Sequence, residues 1–287
     1  MKRKLFIIIF SLVFHHSYAQ NEGRVGIFAG INRTSLSNTK DKAAGDWMPT
    51  FKPSIGLEAG YYYTLFKKLP MGFNTQISYT QLGQNYKGNY ADSTSFYAYS
   101  RLNYLRIGLG MHFGSNMRRQ VAFTLDAGVN YGMLLNYQER YELIRYNNDR
   151  FILDAQNTDF NLYDTVSRVG TLTAPLYNKT DLTVYGALGL DFLLSKRIVF
   201  GFCGRMDMGM NTVENSATKI NVNYNSNPPQ TESFAPFNTP SKFRGPVDAK
   251  IKRDKTTNQY YGIYFSFKYR LFNEEKIEDW YKEHIFP

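Results

Sequence analysis

The stretch Asp181–Asn211, DLTVYGALGLDFLLSKRIVFGFCGRMDMGMN, decides the fold, because apolar residues alternate with small or polar ones on both sides of one tight turn. Alternation with a period of two around such a turn predicts a β-hairpin. On its first arm Leu182, Val184, Leu188, Leu190, Phe192 and Leu194 share a face, opposite Thr183, Tyr185, Ala187, Gly189 and Asp191. On the second arm Ile198, Phe200, Phe202, Met206, Met208 and Met210 oppose Val199, Gly201, Cys203, Arg205, Asp207, Gly209 and Asn211. Each arm is longer than the strand of about 5–6 residues usual in soluble proteins. The length suits the roughly 9–11 tilted residues with which a β-strand crosses a bilayer.

Working outward from this hairpin, the same alternation recurs six more times. Downstream, Asn258–Phe272 sets Tyr261, Ile263, Phe265, Phe267, Tyr269 and Leu271 against Gly262, Tyr264, Ser266, Lys268 and Arg270. Upstream, the arms are Gly23–Leu36, with Val25, Ile27, Ala29 and Ile31 on the apolar face; Phe51–Phe66, with Ile55, Leu57, Ala59 and Tyr61; and Phe73–Thr80. Two more follow, one carrying Leu105, Ile107, Leu109, Met111 and Phe113, the other Val121 to Met133. The connections alternate long and short, which is the rhythm of an up-and-down transmembrane barrel with short periplasmic turns and long external loops. The predicted fold is therefore all-β: an eight-stranded antiparallel up-and-down transmembrane β-barrel with a short C-terminal amphipathic helix. A soluble barrel of the lipocalin kind is the competing architecture. It would turn its apolar face inward, whereas here the glycine-rich face that carries the charges is the one suited to a crowded interior.

The chain opens with MKRK, an apolar run Leu5–Phe14, and small residues at Ser17 and Ala19. This is the pattern of a secretory signal peptide cleaved after Ala19. The expected organisation is 1–19 signal peptide, 20–272 outer-membrane barrel and 273–287 periplasmic tail. Loss of Lys2, Arg3 and Lys4 lowers the formal charge of +10 by three, to +7. With 43% hydrophobic residues and no long apolar run, a spanning form of this chain has only the closed barrel available to it. Aromatic residues make up 16%, mostly Tyr and Phe, which suits the girdles at the two interfaces of such a barrel. Cys203 is the single cysteine, so no intramolecular disulfide or cysteine metal cluster forms, and its face puts it inside as a small filler.

The inward face holds Arg24, Arg106, Arg205, Lys268 and Arg270 against Glu58, Asp126, Asp191 and Asp207. Buried charges persist when paired and hydrogen-bonded, and an eight-stranded interior is just wide enough to be filled by side chains. These residues predict a polar plug, with a substrate or ion pathway as the alternative. Arg106 and Asp126 stand seven and six residues from the short turn joining their strands, which predicts that they meet inside as one pair.

No catalytic, cofactor or metal site emerges. Beyond the signal only His112 and His284 remain, the first beside a short turn and the second in the tail, away from the loop carboxylates Asp149, Asp154, Asp159 and Asp164. Export removes nucleic acid as a partner for the positive charge. Lipopolysaccharide phosphates are the nearer target, since Thr212–Thr257 carries Lys219, Lys242, Arg244, Lys250, Lys252, Arg253 and Lys255 against Glu214, Glu232, Asp248 and Asp254. In the tail, Asn273 caps a predicted helix with Glu274 and Glu275 in its first turn. Its apolar face holds Ile277, Trp280, Tyr281 and Ile285, with Trp280 and Tyr281 as interface anchors.

The signal ending in Ala19-Gln20, the opening strand RVGIFAGIN at 24–32 followed by Ser35-Leu36-Ser37, and the closing YYGIYFSFKYRLF at 260–272 resemble the PorT-like outer-membrane β-barrel proteins of the Bacteroidota. The resemblance implies a small barrel in the cell outer membrane with no catalytic motif. It also implies envelope or secretion-system proteins as partners, because the name-giving member is needed for secretion by the type IX system. Three roles stay open: an accessory or structural envelope component, a surface-binding module acting through its long loops, and a narrow pore.

Overall fold

The computed structural model describes residues 22–37, 47–48, 50–65, 69–90, 94–115, 120–144, 150–156, 159–163, 168–172, 174–215, 220–224, 230–234 and 255–273. The segment 1–19 expected to be a signal peptide and the tail, with its expected helix and anchors Trp280 and Tyr281, lie outside these residues. The strands are β1 (Glu22–Ser37), β2 (Trp47–Met48), β3 (Thr50–Leu65), β4 (Leu69–Tyr90), β5 (Thr94–Gly114), β6 (Val121–Ile144), β7 (Arg150–Gln156), β8 (Asp159–Tyr163), β9 (Arg168–Leu172), β10 (Thr180–Leu193), β11 (Ile198–Gly209), β12 (Ile220–Tyr224), β13 (Gln230–Phe234) and β14 (Thr257–Asn273).

Eight of them close a ring of antiparallel pairs, β1–β3–β4–β5–β6–β10–β11–β14 and back to β1. Register partners followed once around the ring run from Val25 through Ala59, Thr75, Leu109, Val129, Val184, Met208 and Gln259 to Ser35, ten residues further along β1. That stagger over eight strands tilts them by ~40° to the barrel axis, within the usual range. Both faces fall as the alternation predicts: Ile27, Leu57 and Leu188 are 58%, 62% and 69% exposed, while Arg24, Asp191 and Asp207 are buried. An apolar surface of this extent, running right round the barrel, is a lipid-facing surface rather than a water-facing one. No helix among the described residues is long and apolar enough to cross a membrane.

Paired girdle residues mark the height of the apolar band. On β14 Tyr261 sits beneath the guanidinium of Arg33, 5.6 Å from the ring centroid, and Tyr269 accepts a 2.7 Å hydrogen bond from Arg197. Eight residues of strand separate the two tyrosines, about 26 Å along the strand and ~20 Å along the tilted axis. With the rings themselves added, this approaches the ~25 Å band of outer-membrane barrels.

Of the segments expected to be loops, 83–94 and 138–180 are mostly strand, while 212–257 contributes the two short strands β12 and β13. β4 runs on to Tyr90 and pairs with β5 from Thr94 onward, and β6 continues to Ile144. Beyond it β7, β8, β9, β12 and β13 extend the sheet, so that the far parts of β4, β5 and β6 together with β7, β8, β9, β12 and β13 form a wall at the end of the barrel opposite the short turns. In this wall the chemistry of the two faces inverts. Above the bulge at Asn103/Tyr104 the buried inner residues are Leu82, Tyr86, Ala98, Leu102 and Tyr137, and the outward ones are Gln81, Lys87, Arg101, Gln138 and Arg140. An outward ladder of Gln81, Asn103 and Asn136, bonded in sequence, lies at the boundary between the two regimes.

β3 leaves β4 at the same level. Their pairing begins at Ser54↔Thr80, directly after Pro53, which has no N–H to give to a ladder. The vacated place is bridged by Thr34, whose hydroxyl donates to the carbonyl of Gly83 at 2.7 Å. Gly83 has φ +126°, and a Cβ there would collide with the backbone carbonyl of Ser100. Only glycine is at ease in that conformation.

Candidate functional site

The barrel interior is the most densely organised polar region of the molecule, built by inward residues of all eight ring strands. Nearest the short turns, Glu22 bonds Arg24 at 2.5 Å and Arg270 at 2.6 and 2.7 Å. Arg24 also reaches Asp191 across the lumen at 2.6 Å, and its guanidinium lies 4.7 Å above the ring of Tyr62. Lys268 sits between Asp191 at 3.2 Å and Glu58 at 3.8 Å. These six charged groups knit β1, β3, β10 and β14 into one network.

Halfway up, Asp126 accepts from Asn74 at 2.8 Å and lies 2.8 Å from Nδ1 of His112, whose ring meets Tyr62 edge-on at 4.7 Å. Arg205 bonds Asp207 at 2.8 Å and Gln76 at 2.9 Å, and stacks 3.9 Å from the ring centroid of Tyr185. Asn130 donates to Asp207 and accepts from Gln76, both at 2.8 Å. Small residues make room for these groups. A Cβ at Gly30, for example, would lie 2.5 Å from Cδ1 of Tyr264.

Toward the wall, Arg106 pairs with Asp181, donates to Tyr260 at 2.7 Å and to Thr183 at 3.1 Å, and lies between the rings of Tyr104 and Tyr260. Asn258 donates to Asp181 at 3.0 Å. Arg106 and Asp126 do not meet, which corrects the pairing expected from their distance to the turn. The register sets Arg106 opposite Gly132 and Asp126 opposite His112, six residues apart on β6, or about 20 Å of strand. The arms enter the sheet at different heights. β6 begins at Val121 against β10, whereas β5 joins it only from Gly114↔Thr124, so counting from the turn misplaces both residues.

The other expected plug residues, Arg24, Glu58, Asp191, Arg205, Asp207, Lys268 and Arg270, are inward and ion-paired. Glu22 and Asp181 were not anticipated, though each shares parity with an inward neighbour, Arg24 and Thr183. They stand at strand ends, where alternation has only one flank to be read from.

Above these networks lies a layer richer in apolar side chains, in which Glu139 and Glu214 are also buried. Leu36, Leu82, Leu102, Leu176 and Val213 are almost fully buried. Residues 174–178 and 211–215 pair with each other through Asn178 N to Val213 O and Asn215 N to Leu176 O, both 2.8 Å. Tyr177 stacks edge-on with Tyr137 at 5.1 Å, donates to Glu139 at 2.9 Å, and lies 3.1 Å from the hydroxyl of Ser100. Burial, reinforced by the carboxylate of Glu139, pushes the Tyr177 phenol well above its ordinary range, so it serves as a neutral donor. No cluster of three or more metal-ligating side chains occurs among the described residues.

This closed ring matches, over residues 18–215, the family model described as outer membrane protein beta-barrel domain. The chain belongs to that family, and it is an outer-membrane protein. Among solved structures it is similar to Neisserial surface protein A, at 10% identity over 86% of this chain and 96% of that one with a TM-score of 0.33. It is also similar to OprG from Pseudomonas aeruginosa, at 12% over 88% and 96% with 0.35, and to a major outer membrane protein from Thermus thermophilus, at 11% over 88% and 99% with 0.38. No curated protein sequence matches the chain. At these TM-scores the architecture rests on the strand pairing itself.

Proposed function

We propose that this barrel is a closed, non-enzymatic anchor in the outer membrane that serves the envelope as an accessory component through the β-wall it holds at one end. The observation that carries this is the interior: paired Arg, Lys, Asp and Glu side chains link opposite strands, and the layer of Leu36, Leu82, Leu102, Leu176 and Val213 covers them. A conducting path would have to break buried ion pairs, each held by groups removed from water. The dyad of His112 and Asp126 is engaged with Asn74 and the Tyr62 ring, which suits a structural pair.

In this reading the short turns and the tail face the periplasm and the wall faces outward, as the alternation of short turns and long connections supports. The PorT-like resemblance of the first and last strands supports a link to protein secretion. Reconstitution in planar bilayers tests closure: no stable unitary currents are expected, and reproducible conductance steps would reject it. Protease added to intact cells tests orientation: cleavage is expected within 138–180 or 212–257, and cleavage confined to permeabilised cells would reverse it. Comparison of secreted proteins in cells with and without the gene tests the secretion link; an unchanged profile removes it.

A further inference from the structure

Outside the lumen, the outward face of the wall carries a patch that belongs to neither the lipid band nor the interior. Tyr97 and Tyr99 on β5 have ring centroids 6.2 Å apart, and the guanidinium of Arg101 lies 4.8 Å above the Tyr99 ring. Cross-strand neighbours complete it: Lys87 and Glu142 on either side of Tyr97, Arg140 opposite Tyr99 and 3.9 Å from Glu142, and Asp154 opposite Arg140. Tyr97, Arg101 and Lys87 are exposed, while one oxygen of Asp154, Oδ1, is buried without a hydrogen-bond partner.

Position identifies what lies against this face. Arg101, Tyr99 and Tyr97 stand two, four and six residues beyond Asn103 of the boundary ladder, which at ~3.3 Å per residue and ~40° of tilt places them about 5, 10 and 15 Å above the apolar band. The first lies within the ~5–7 Å headgroup layer of one leaflet, and the other two stand beyond it, at the level of sugars carried on those headgroups. Flat tyrosine rings take the apolar faces of sugar rings, and arginine and lysine take phosphate. Lys87 and Arg101, exposed beside two aromatic rings and outside the Arg140–Glu142 pair, favour a phosphorylated saccharide over a neutral one, and basic residues beside a membrane are a recurrent device for headgroup binding.

We infer that Tyr97, Tyr99, Arg101, Lys87 and Arg140 form a binding face for the phosphorylated inner sugars of lipopolysaccharide in the adjoining leaflet. The Tyr97 ring receives a sugar face, and Arg101, Lys87 and Arg140 hold phosphate. This inference rests on the proposed outward orientation of the wall. Binding is therefore measured on the full chain in detergent micelles, where orientation has no influence, so that failure of binding and failure of orientation are read separately.

The probes are lipid-free phosphorylated core oligosaccharide and lipid A alone, titrated calorimetrically against the wild type, against Tyr97→Ala/Tyr99→Ala/Arg101→Ala, and against Tyr61→Ala in the opposite girdle. Saturable oligosaccharide binding, weakened at least tenfold in the triple variant and unchanged in Tyr61→Ala, is expected. Absence of saturable binding, equal affinity in the triple variant, or full affinity for lipid A with none for the oligosaccharide overturns the inference. If the triple variant does not fold, Tyr97→Ala at its exposed position gives the same comparison, with a threefold or greater loss expected and an unchanged affinity overturning it.

Discussion

Arg106→Met is the sharpest test of the interior. It removes the partner of Asp181, a carboxylate with no solvent exposure, and leaves Asn258 at 3.0 Å as its bonded donor. It also takes the donor from Tyr260 and the cation from between two aromatic rings. Breaking a buried ion pair on one side costs about 3–5 kcal/mol, because the remaining charge stays out of water without compensation. At about 1.4 kcal/mol per tenfold change, that is two to nearly four powers of ten in the folding equilibrium. Replacing both partners, Arg106→Met with Asp181→Leu, leaves no orphaned charge and should recover at least half of the loss. Urea titrations of protein folded in lipid vesicles, read by the altered gel mobility of the folded barrel, give both numbers. A single variant costing under ~1 kcal/mol, or a double variant costing as much as the two singles added together, would refute the account of Arg106 and Asp181 as a mutually dependent pair.

Four further outcomes follow from the same structure. Ile107→Lys, halfway along the lipid face of β5, should destabilise the folded barrel by about 2–4 kcal/mol in the same titration, and a neutral result would mean that this face does not meet lipid. Gly83→Ala should cost more than ~1 kcal/mol, since φ +126° and the Ser100 carbonyl both oppose a Cβ; protease sensitivity of the β4–β5 hairpin reads the local damage. Cys203 faces inward beside Gly189, so a membrane-impermeant maleimide should leave it unlabelled until the barrel is unfolded, and prompt labelling would place the thiol outside. Truncation after Asn273, where β14 ends, should leave barrel assembly intact, and loss of assembly would make residues 274–287 part of the folding unit.

The legible part of the fold is the part that lipid imposes. Period-two alternation assigns the faces of all eight ring strands, from Val25 against Arg24 to Leu271 against Arg270, because each lipid-facing position must be apolar. The wall was hidden because that rule ends at the boundary ladder. Along β5, Ile107 and Leu105 point out, but two turns of the pleat further Leu102 and Ala98 point in while Arg101 and Tyr99 point out. A reader following the apolar face sees the pattern stop at Gly83 or Gln138 and infers a loop, although the backbone continues its pairing. Partners across the lumen were hidden for another reason. Arg106 finds Asp181 through two successive strand pairs, Arg106↔Gly132 and Gly132↔Asp181, and a single asymmetric hairpin entry between β5 and β6 displaces any estimate by several residues.

That dependence on register also explains why so many charges are retained inside a barrel whose apolar belt already secures its place in the membrane. Lipid contact rewards any register that keeps the apolar face outward, so a slip of two residues between neighbouring strands leaves the belt intact. It does not leave the lumen intact. Arg24 on β1 must reach Asp191 on β10, Arg205 on β11 must reach Gln76 on β4, and Arg106 on β5 must reach Asp181 on β10. A two-residue slip moves a strand by about 7 Å, enough to orphan each of these groups at a penalty of several kcal/mol. The outward face therefore says that the chain spans, and the inward face selects the one closure in which it does so. Because β4, β5 and β6 are both staves of the ring and the base of the wall, fixing that closure also fixes the height and direction in which Tyr97, Tyr99 and Arg101 are presented.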